Sequence, residues 1–513
     1  MGFLRKWLTG LMHKSPIQQQ IQQQPQPNLI SGDLSQNVLS IRDIFRDTPD
    51  LIVRHLIIKQ TGQRAALVYL EGLTDKNSIT NNVLDPLQLQ TGSSTSDLPV
   101  TVGSVTEITG INDIEHAILH GLSVLIINES TVAYSYDTQG WPQRAIEDPQ
   151  IESSLKGGHQ GFVETASQNI ALIRRYIPDR ELKMKSIIVG RRGKTSVIIM
   201  YLEDVAHPEV LQELYDRIKL LDVDAILNSG ELEGFIEDNP FSPFPQFIST
   251  ERPDAVASQI LQGRLAIVVD RSPAVLVGPA SFTSFFQSVD DYSTRWLVAS
   301  FNRLMRFMAF LLAICLPSLY IAAISFNYEV IPVKLILSIG ESRERVPFPP
   351  FVEALLMEIT LEMLREAGVR LPSPIGQTVG IVGGIVIGQA AVQAGIVSNI
   401  MVIVVASTAI ASFIIPNYDM ASAIRLLRFP MMLMAWMFGI VGIVIGLMTL
   451  IGHLIALESL GTPYGSPFAP VRFSDLKDTI FRFPIWKMTK RPVSARATQM
   501  RRQGSNRPRG DGK

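Results

Sequence analysis

One cysteine in 513 residues, Cys315, excludes an internal disulfide framework and any cysteine-built zinc or iron–sulfur cage. Charge is scarce too: Asp, Glu, Lys and Arg make up 18% of the chain, below the ~25% usual in soluble domains, while 46% is hydrophobic. The 46 basic and 47 acidic residues leave a net charge of −1. There is thus no basic field to draw nucleic acid and no acidic excess of the disordered, solvating kind. No G-x-S-x-G elbow occurs, and Cys315 lies in an apolar run just before Pro317, where it packs rather than reacts. Met1–Lys14 lacks the continuous apolar core of a secretion signal. Its alternation of Phe3, Leu4, Trp7, Leu8 and Leu11 with Arg5, Lys6 and Lys14 fits either a helix on a membrane surface or a frayed terminus.

Two lookalike motifs fail on context. Gly190-Arg191-Arg192-Gly193-Lys194-Thr195 resembles a phosphate loop, but Ile188 stands where the first glycine belongs and a strand pattern, Ser196–Tyr201, follows instead of a helix. The segment reads as a hairpin turn. His116 and His120 sit one helical turn apart beside Glu115, yet no third metal ligand accompanies them, so they read as helix surface. No catalytic, cofactor or metal site is expected.

The organisation is bipartite. Residues 1–36 include the low-complexity run from Gln18 to Pro27, a tether. Residues 37–145 and 146–290 have α/β texture and read as two cytoplasmic subdomains divided near the aperiodic stretch Asp137–Lys156. Strands are expected at 51–58, 65–70, 122–127, 185–189, 196–201, 265–269 and 274–277, and helices at 75–84, 113–120, 162–176, 208–220 and 255–262. From 291 to 457 the chain reads as an all-α polytopic membrane domain of about four spans, near 308–326, 379–397, 400–415 and 431–457. A basic cytoplasmic tail, 458–513, follows. Arg295, Arg303 and Arg306 before the first span and the basic residues after the last place both termini inside. The connections 327–377 and 416–430 would then face out, although Arg425 and Arg428 in the second oppose that scheme.

In the second span Gly380, Gly384 and Gly388 share one helix face, suited to close packing against a neighbouring backbone. Val382, Val386, Gln389 and Gln393 occupy the opposite face. Amides in a bilayer need water or a partner, so this stripe either lines a hydrated pore, with the valines as its constriction, or bonds to another helix. Glu358, Glu362 and Glu366 recur at i,i+4 on a helix expected over Phe351–Ala367. They form either a solvated outer acidic face or an acidic ring at a pore mouth.

The string from Gly376 through Gly384 to Gly388-Gln389-Ala390-Ala391-Val392, the Ile415-Pro416-Asn417-Tyr418 step, the Gly461-Thr462-Pro463-Tyr464 exit and Glu71-Gly72-Leu73-Thr74-Asp75 resemble the spore-germination receptor A-subunit family, the GerA family. The stretch from Gly230 to Pro240 resembles it too, and the likeness runs from about Asp43 to Pro484. The resemblance implies a multi-pass protein of the inner membrane of the bacterial spore that helps convert nutrient detection into germination. It implies assembly as an oligomeric, pentameric ion channel with a transporter-like B subunit and a lipoprotein C subunit. It places Val382, Val386, Gln389 and Gln393 on the lumen face of the pore-lining helix. An accessory germination paralogue that does not sense nutrient stands as the alternative within the family. A membrane transporter stands outside it, and a non-conducting membrane scaffold is a third class.

Overall fold

Apolar, β-branched runs form strands in the first half of the chain, and the turn residues between them set where each strand stops. The structure is a computed structural model that describes residues 29–89, 99–140, 156–371, 383, 384, 386–504 and 506. The backbone divides into two compact units, 1–141 and 142–513.

The first unit opens with α1 (Leu34–Ile44), whose cap Asp33 accepts from the Ser35 amide at 2.8 Å and whose Leu34, Val38 and Ile41 recur on the buried face. A hairpin of β1 (Leu51–Ile57) and β2 (Arg64–Leu70) follows. A helical connector then runs through Lys76–Ser78, Ile79–Leu84 and Asp85–Leu89. β3 (Val105–Ile108), α2 (Ile111–Leu119), β4 (Ser123–Ile127) and β5 (Ala133–Tyr136) complete a sheet ordered β1-β2-β4-β5-β3.

The second unit starts with the same series of elements. It contains α3 (Ala166–Tyr176), β6 (Leu182–Val189), β7 (Thr195–Leu202), α4 (Pro208–Lys219), α5 (Ser229–Ile236), β8 (Ile248–Thr250), α6 (Pro253–Ile260), β9 (Leu265–Val269) and β10 (Val275–Gly278). Its sheet is ordered β6-β7-β9-β10-β8, the first sheet's order strand for strand. All ladders in both sheets are antiparallel, so the α/β texture resolves into two antiparallel sheets with helices packed on them.

The likeness extends to single hydrogen bonds. Buried Asn37 on α1 clamps the backbone of Ser31, accepting from its amide at 2.9 Å and donating to its carbonyl at 2.6 Å. Buried Asn169 on α3 clamps Val163 in the same way, at 2.8 and 2.5 Å. Beyond β4, Glu129 holds φ 65° while its amide bonds Gly32 O at 2.7 Å; beyond β9, Arg271 holds φ 69° while its amide bonds Glu164 O at 2.7 Å. A left-handed residue at one equivalent turn could be chance, but two tied by the same bond are one design used twice.

The turn between β6 and β7 is the hairpin expected from the sequence, with Val189 opposite Thr195. The amides of Arg191, Arg192 and Gly193 donate to Val223 O and Asp224 O at 2.8–2.9 Å, which leaves them no freedom to cradle a phosphate.

After the second sheet come α7 (Trp296–Ser325), α8 (Val333–Arg343), α9 (Pro350–Arg370), α10 (Asn399–Phe413) and α11 (Tyr418–Ala456). α7 and α11 are long and apolar enough by length and composition to cross a membrane, and α10 is a shorter apolar helix. The basic segment beyond α11 packs against the rest of the second unit. Glu458–Ser459 pairs with Thr462–Pro463, Ser459 Oγ donates to Gln246 O at 2.7 Å, and the Thr498 amide reaches Val205 O at 2.8 Å. Arg482 and Arg491 are buried, donating to backbone carbonyls of the second unit.

Candidate functional site: the helical bundle and its buried charges

The end of the bundle next to the second sheet is proximal here, and the opposite end distal. α7 starts proximally, where Arg303 bonds Asp291 and Asp478, and finishes distally at Phe326. α11 does not continue as one rod. At Gly439, with φ 61° and ψ −141°, it turns back, so that Gly442 abuts the Met434 carbonyl and a Cβ on Gly446 would lie 2.6 Å from Met431 Sδ. Its first arm therefore rises from Asn417 to the distal end beside Phe326 and Asn327, and its second descends until His453 Nε2 meets Ser242 Oγ at 2.8 Å. Each arm has roughly 20 residues, about 30 Å of helix, the thickness of a hydrocarbon core.

This geometry corrects the expected spans. The single span at 431–457 is the end of one arm plus a second arm, reversed where only glycine tolerates the backbone. The 416–430 segment is no loop: Tyr418 starts α11, and Asn417 and Tyr418 line the same cleft as Ile248 and Thr250 of the second sheet. α9 is not confined to an outer loop either. Its buried Glu353 meets Ser398 at the distal cap of α10, while its Arg365 lies 5.1 Å from the Phe413 ring at the proximal end of α10.

The acidic face of α9 is a set of ion pairs. Buried Glu358 pairs with buried Arg428 of α11, and Arg428 also donates Nε–H to Ala313 O at 3.0 Å. Glu362 takes Arg365 at 2.8 Å and Arg425 at 3.1 Å, and Glu366 takes Arg370 at 2.5 Å. Each carboxylate thus has an arginine: Glu358 is a buried structural charge, Glu362 a half-buried one, and Glu366 with Arg370 stays on the exposed surface. Arg425 and Arg428, which opposed the topology when taken as outward charges, are these partners. Glu353 faces Arg343 at 3.5 Å. A second network closes the proximal end: Asp291 holds Arg303 and Arg306 at 2.8 Å each, and Asp478 holds Arg303 at 2.7 Å and the Tyr292 hydroxyl at 2.8 Å. It ties α7 to the C-terminal segment, so the fully buried Arg303 is a structural charge.

Of the two-faced second span, Gly380 and Val382 lie outside the described residues. Residues 386–393 are helical, with Val386, Gln389 and Gln393 all exposed. A Cβ on Gly384 or Gly388 would meet nothing within 4 Å, whereas one on Gly383 would meet Leu364 Cδ2 at 2.8 Å. Close packing inside the chain therefore falls to Gly383; Gly384 is exposed, and Gly388, though buried, leaves room for a Cβ. Thr408 and Ser412 of α10 satisfy their hydroxyls on their own helix, at Val404 O and Ala409 O, 2.7 Å each.

His116 and His120 stack at 4.0 Å, with His120 Nδ1 at 2.8 Å from His116 O. Among the described residues no group of three or more His, Cys, Asp or Glu could hold a metal ion. Sequence reasoning missed Glu353, the pairing of Glu358 with Arg428, and the Asp291–Arg303–Asp478 network. The available signal was charge of both signs in and beside apolar segments, which a bilayer tolerates only when paired.

Residues 40–494 match the Bacillus/Clostridium GerA spore germination protein family. The chain belongs to the GerA family. Among its GerA relatives, spore germination protein KA of Bacillus subtilis is 40% identical over 493 residues, covering 94% of this chain and 91% of that protein. The membrane protein YfkQ of the same organism, described as uncharacterized, is 40% identical over 469 residues, covering 90% and 91%. The crystal structure of the N-terminal domain of the A subunit of the Bacillus megaterium spore germinant receptor GerK3 aligns with 50% of this GerA chain and 98% of its own, at 32% identity and TM-score 0.40.

Proposed function

We propose that this chain is the A-type membrane subunit of a nutrient-responsive germination receptor, and that several copies, five in the reading adopted here, surround a central ion path. Family membership over residues 40–494 supports the receptor role. The exposed stripe of Val386, Gln389 and Gln393 supports the channel: two amides on an otherwise apolar helix need water or a neighbour, and an axis between copies supplies both. In this reading Val382 and Val386 form the constriction and Gln389 and Gln393 its wetted stretch, while the side of the helix around exposed Gly384 receives the adjacent subunit. Counting α7, α9, the helix ending at 393, α10 and both arms of α11, the chain crosses the spore inner membrane an even number of times. Both termini then lie in the cytoplasm, with the two sheets. A transporter-like B subunit and a lipoprotein C subunit complete the receptor.

Single-channel recording on the reconstituted oligomer tests this. Stepwise currents that Val386→Ala enlarges and Gln389→Leu reduces are the expected result. Intact oligomers without current, or currents that neither substitution alters, refute the pore. Slow saturable flux without steps points to a transporter. An accessory paralogue is distinguished by persisting in spores that lack the B and C subunits.

A further inference from the structure

At the proximal end of the bundle, within the second unit, lies a cavity of about 760 Å³ between α6, the short helix Phe282–Phe286, the C-terminal ends of α9 and α10 and the start of α11. Its volume is that of a site for a drug-sized molecule. Arg252, Arg365, Arg425 and Arg502 line it, and among the described residues no Asp or Glu does.

Asp254 holds Arg252 through two bonds, at 3.1 and 2.7 Å, but the other charges around the cavity do not cancel. Arg365 and Arg425 share the single carboxylate of Glu362, and Arg365 Nε is buried without an acceptor. Behind the wall, Arg264 is 3% exposed and donates to the cavity-lining Ser284 at 2.9 Å, while its Nε and Nη1 have no acceptor. Burial pushes Arg264 down to about 10, and no carboxylate counters that burial. Buried guanidinium groups without counter-charge are costly, and an oxyanion in the cavity supplies it. The remaining wall divides into hydroxyl and amide groups, among them Ser258 and Gln262, and apolar groups, among them Phe285, Phe413 and Ile415. The complementary occupant is an anion with an apolar body.

We propose that this cavity binds a phosphate-bearing amphiphile, its phosphate held by the arginines and its apolar portion against Phe285 and Phe413, bridging the second sheet domain to the bundle. Both a membrane lipid headgroup and a soluble organic phosphate carry that chemistry. Arginine–phosphate bonds are bidentate and charge-assisted, so removing one arginine weakens binding by about 10- to 100-fold.

The test uses the full chain, purified in a neutral detergent or reconstituted in vesicles. One arm titrates inorganic phosphate and glycerol phosphate and reads the thermal midpoint. The other compares phosphatidylcholine vesicles with and without phosphatidylglycerol and reads the same midpoint and retained lipid by native mass spectrometry. Arg425→Gln removes charge but also leaves Glu362 with one partner. Ser258→Trp therefore fills the cavity with every charge intact, and Arg502→Gln alters an exposed arginine only. Stabilisation by phosphatidylglycerol alone identifies the lipid source, and stabilisation by the soluble phosphates identifies the other; in either case Ser258→Trp and Arg502→Gln weaken it at least tenfold. The proposal is overturned if no phosphate-bearing probe shifts the midpoint, or if folded Ser258→Trp responds like the parent chain.

Discussion

Cutting the Glu358–Arg428 pair on one side should cost far more than removing it altogether. Glu358 is 1% exposed and Arg428 3%, so neither charge reaches water when its partner is gone. Replacing one member of such a pair leaves an uncompensated buried charge, a loss of ~3–5 kcal/mol, whereas replacing both by apolar side chains of similar volume is close to neutral. Local detail sharpens the expectation. Glu358 Oε1 and Arg428 Nη2 have no hydrogen-bond partner, so the pair is incompletely satisfied and its removal gives up little. Glu358→Leu should be the worse single change, because it strands a guanidinium that keeps only the bond to Ala313 O at 3.0 Å. Arg428→Met strands a carboxylate that can escape by taking up a proton. The double variant should lie within ~1–2 kcal/mol of the parent, a coupling of at least ~3 kcal/mol. Unfolding in mixed micelles of rising SDS content measures this. Trp436, stacked on Phe351 at 5.0 Å, reports loss of bundle packing through its emission. Additive single losses, with the double variant as damaged as their sum, would refute the claim that these two residues form one buried unit.

Other outcomes follow from the same geometry. Gly439→Ala should destabilise the bundle by ~1–3 kcal/mol in the same micelle assay, because φ 61° with ψ −141° suits glycine and the new Cβ would sit 3.0 Å from Phe326 Cβ and Asn327 Oδ1. Asn169→Ala should cost ~1–3 kcal/mol, since it orphans two buried backbone groups, and Asn37→Ala less, since Ser31 is only half-buried; a larger loss for Asn37→Ala in thermal unfolding would refute this. Burial, with the carboxylates of Glu237 and Asp419, raises Glu233 from 4.5 to about 8. The folded chain then keeps a proton that the unfolded chain releases, so stability should fall as pH rises from about 4.5 to about 8, by at most ~5 kcal/mol. Glu233→Gln should remove most of that slope in melting curves across the window. Glu237, also raised by burial, carries part of the remainder.

Legibility from the sequence tracked how local the determining physics was. β9 matched its expected bounds and β1 came within one residue, because Leu265–Val269 and Leu51–Ile57 are dense in apolar and β-branched residues. β3, β5 and β8 were missed because Val105–Ile108, Ala133–Tyr136 and Ile248–Thr250 are three or four residues each, too short for alternation to register. α1 was missed although Asp33 is a cap of the preferred type, since its polar residues dilute the apolar face. The repeated sheet was invisible because what repeats is a pair of buried asparagines, two left-handed turns and a strand order, none of which has a hydropathy signature.

In the bundle the opposite held: hydropathy was clear and misleading. Met431–Leu457 reads as one span since every residue in it is apolar or small apart from Thr449 and His453, and the sole mark of the reversal is Gly439 among several other glycines. What distinguishes Gly439 is that its neighbours in space, Phe326 and Asn327, come from the end of a different helix. The arginines carried the missing information. Had Arg425 and Arg428 been outward loop charges, they would have needed water. Set opposite Glu362 and Glu358 they need each other, which requires α9 to run beside α11 through the depth of the bundle. The i,i+4 spacing of Glu358 and Glu362 on α9 and the i,i+3 spacing of Arg425 and Arg428 on α11 each place two like charges on one helix face. Two such faces of opposite sign within an apolar region are a docking instruction, legible from sequence once charges there are treated as pairs to be matched.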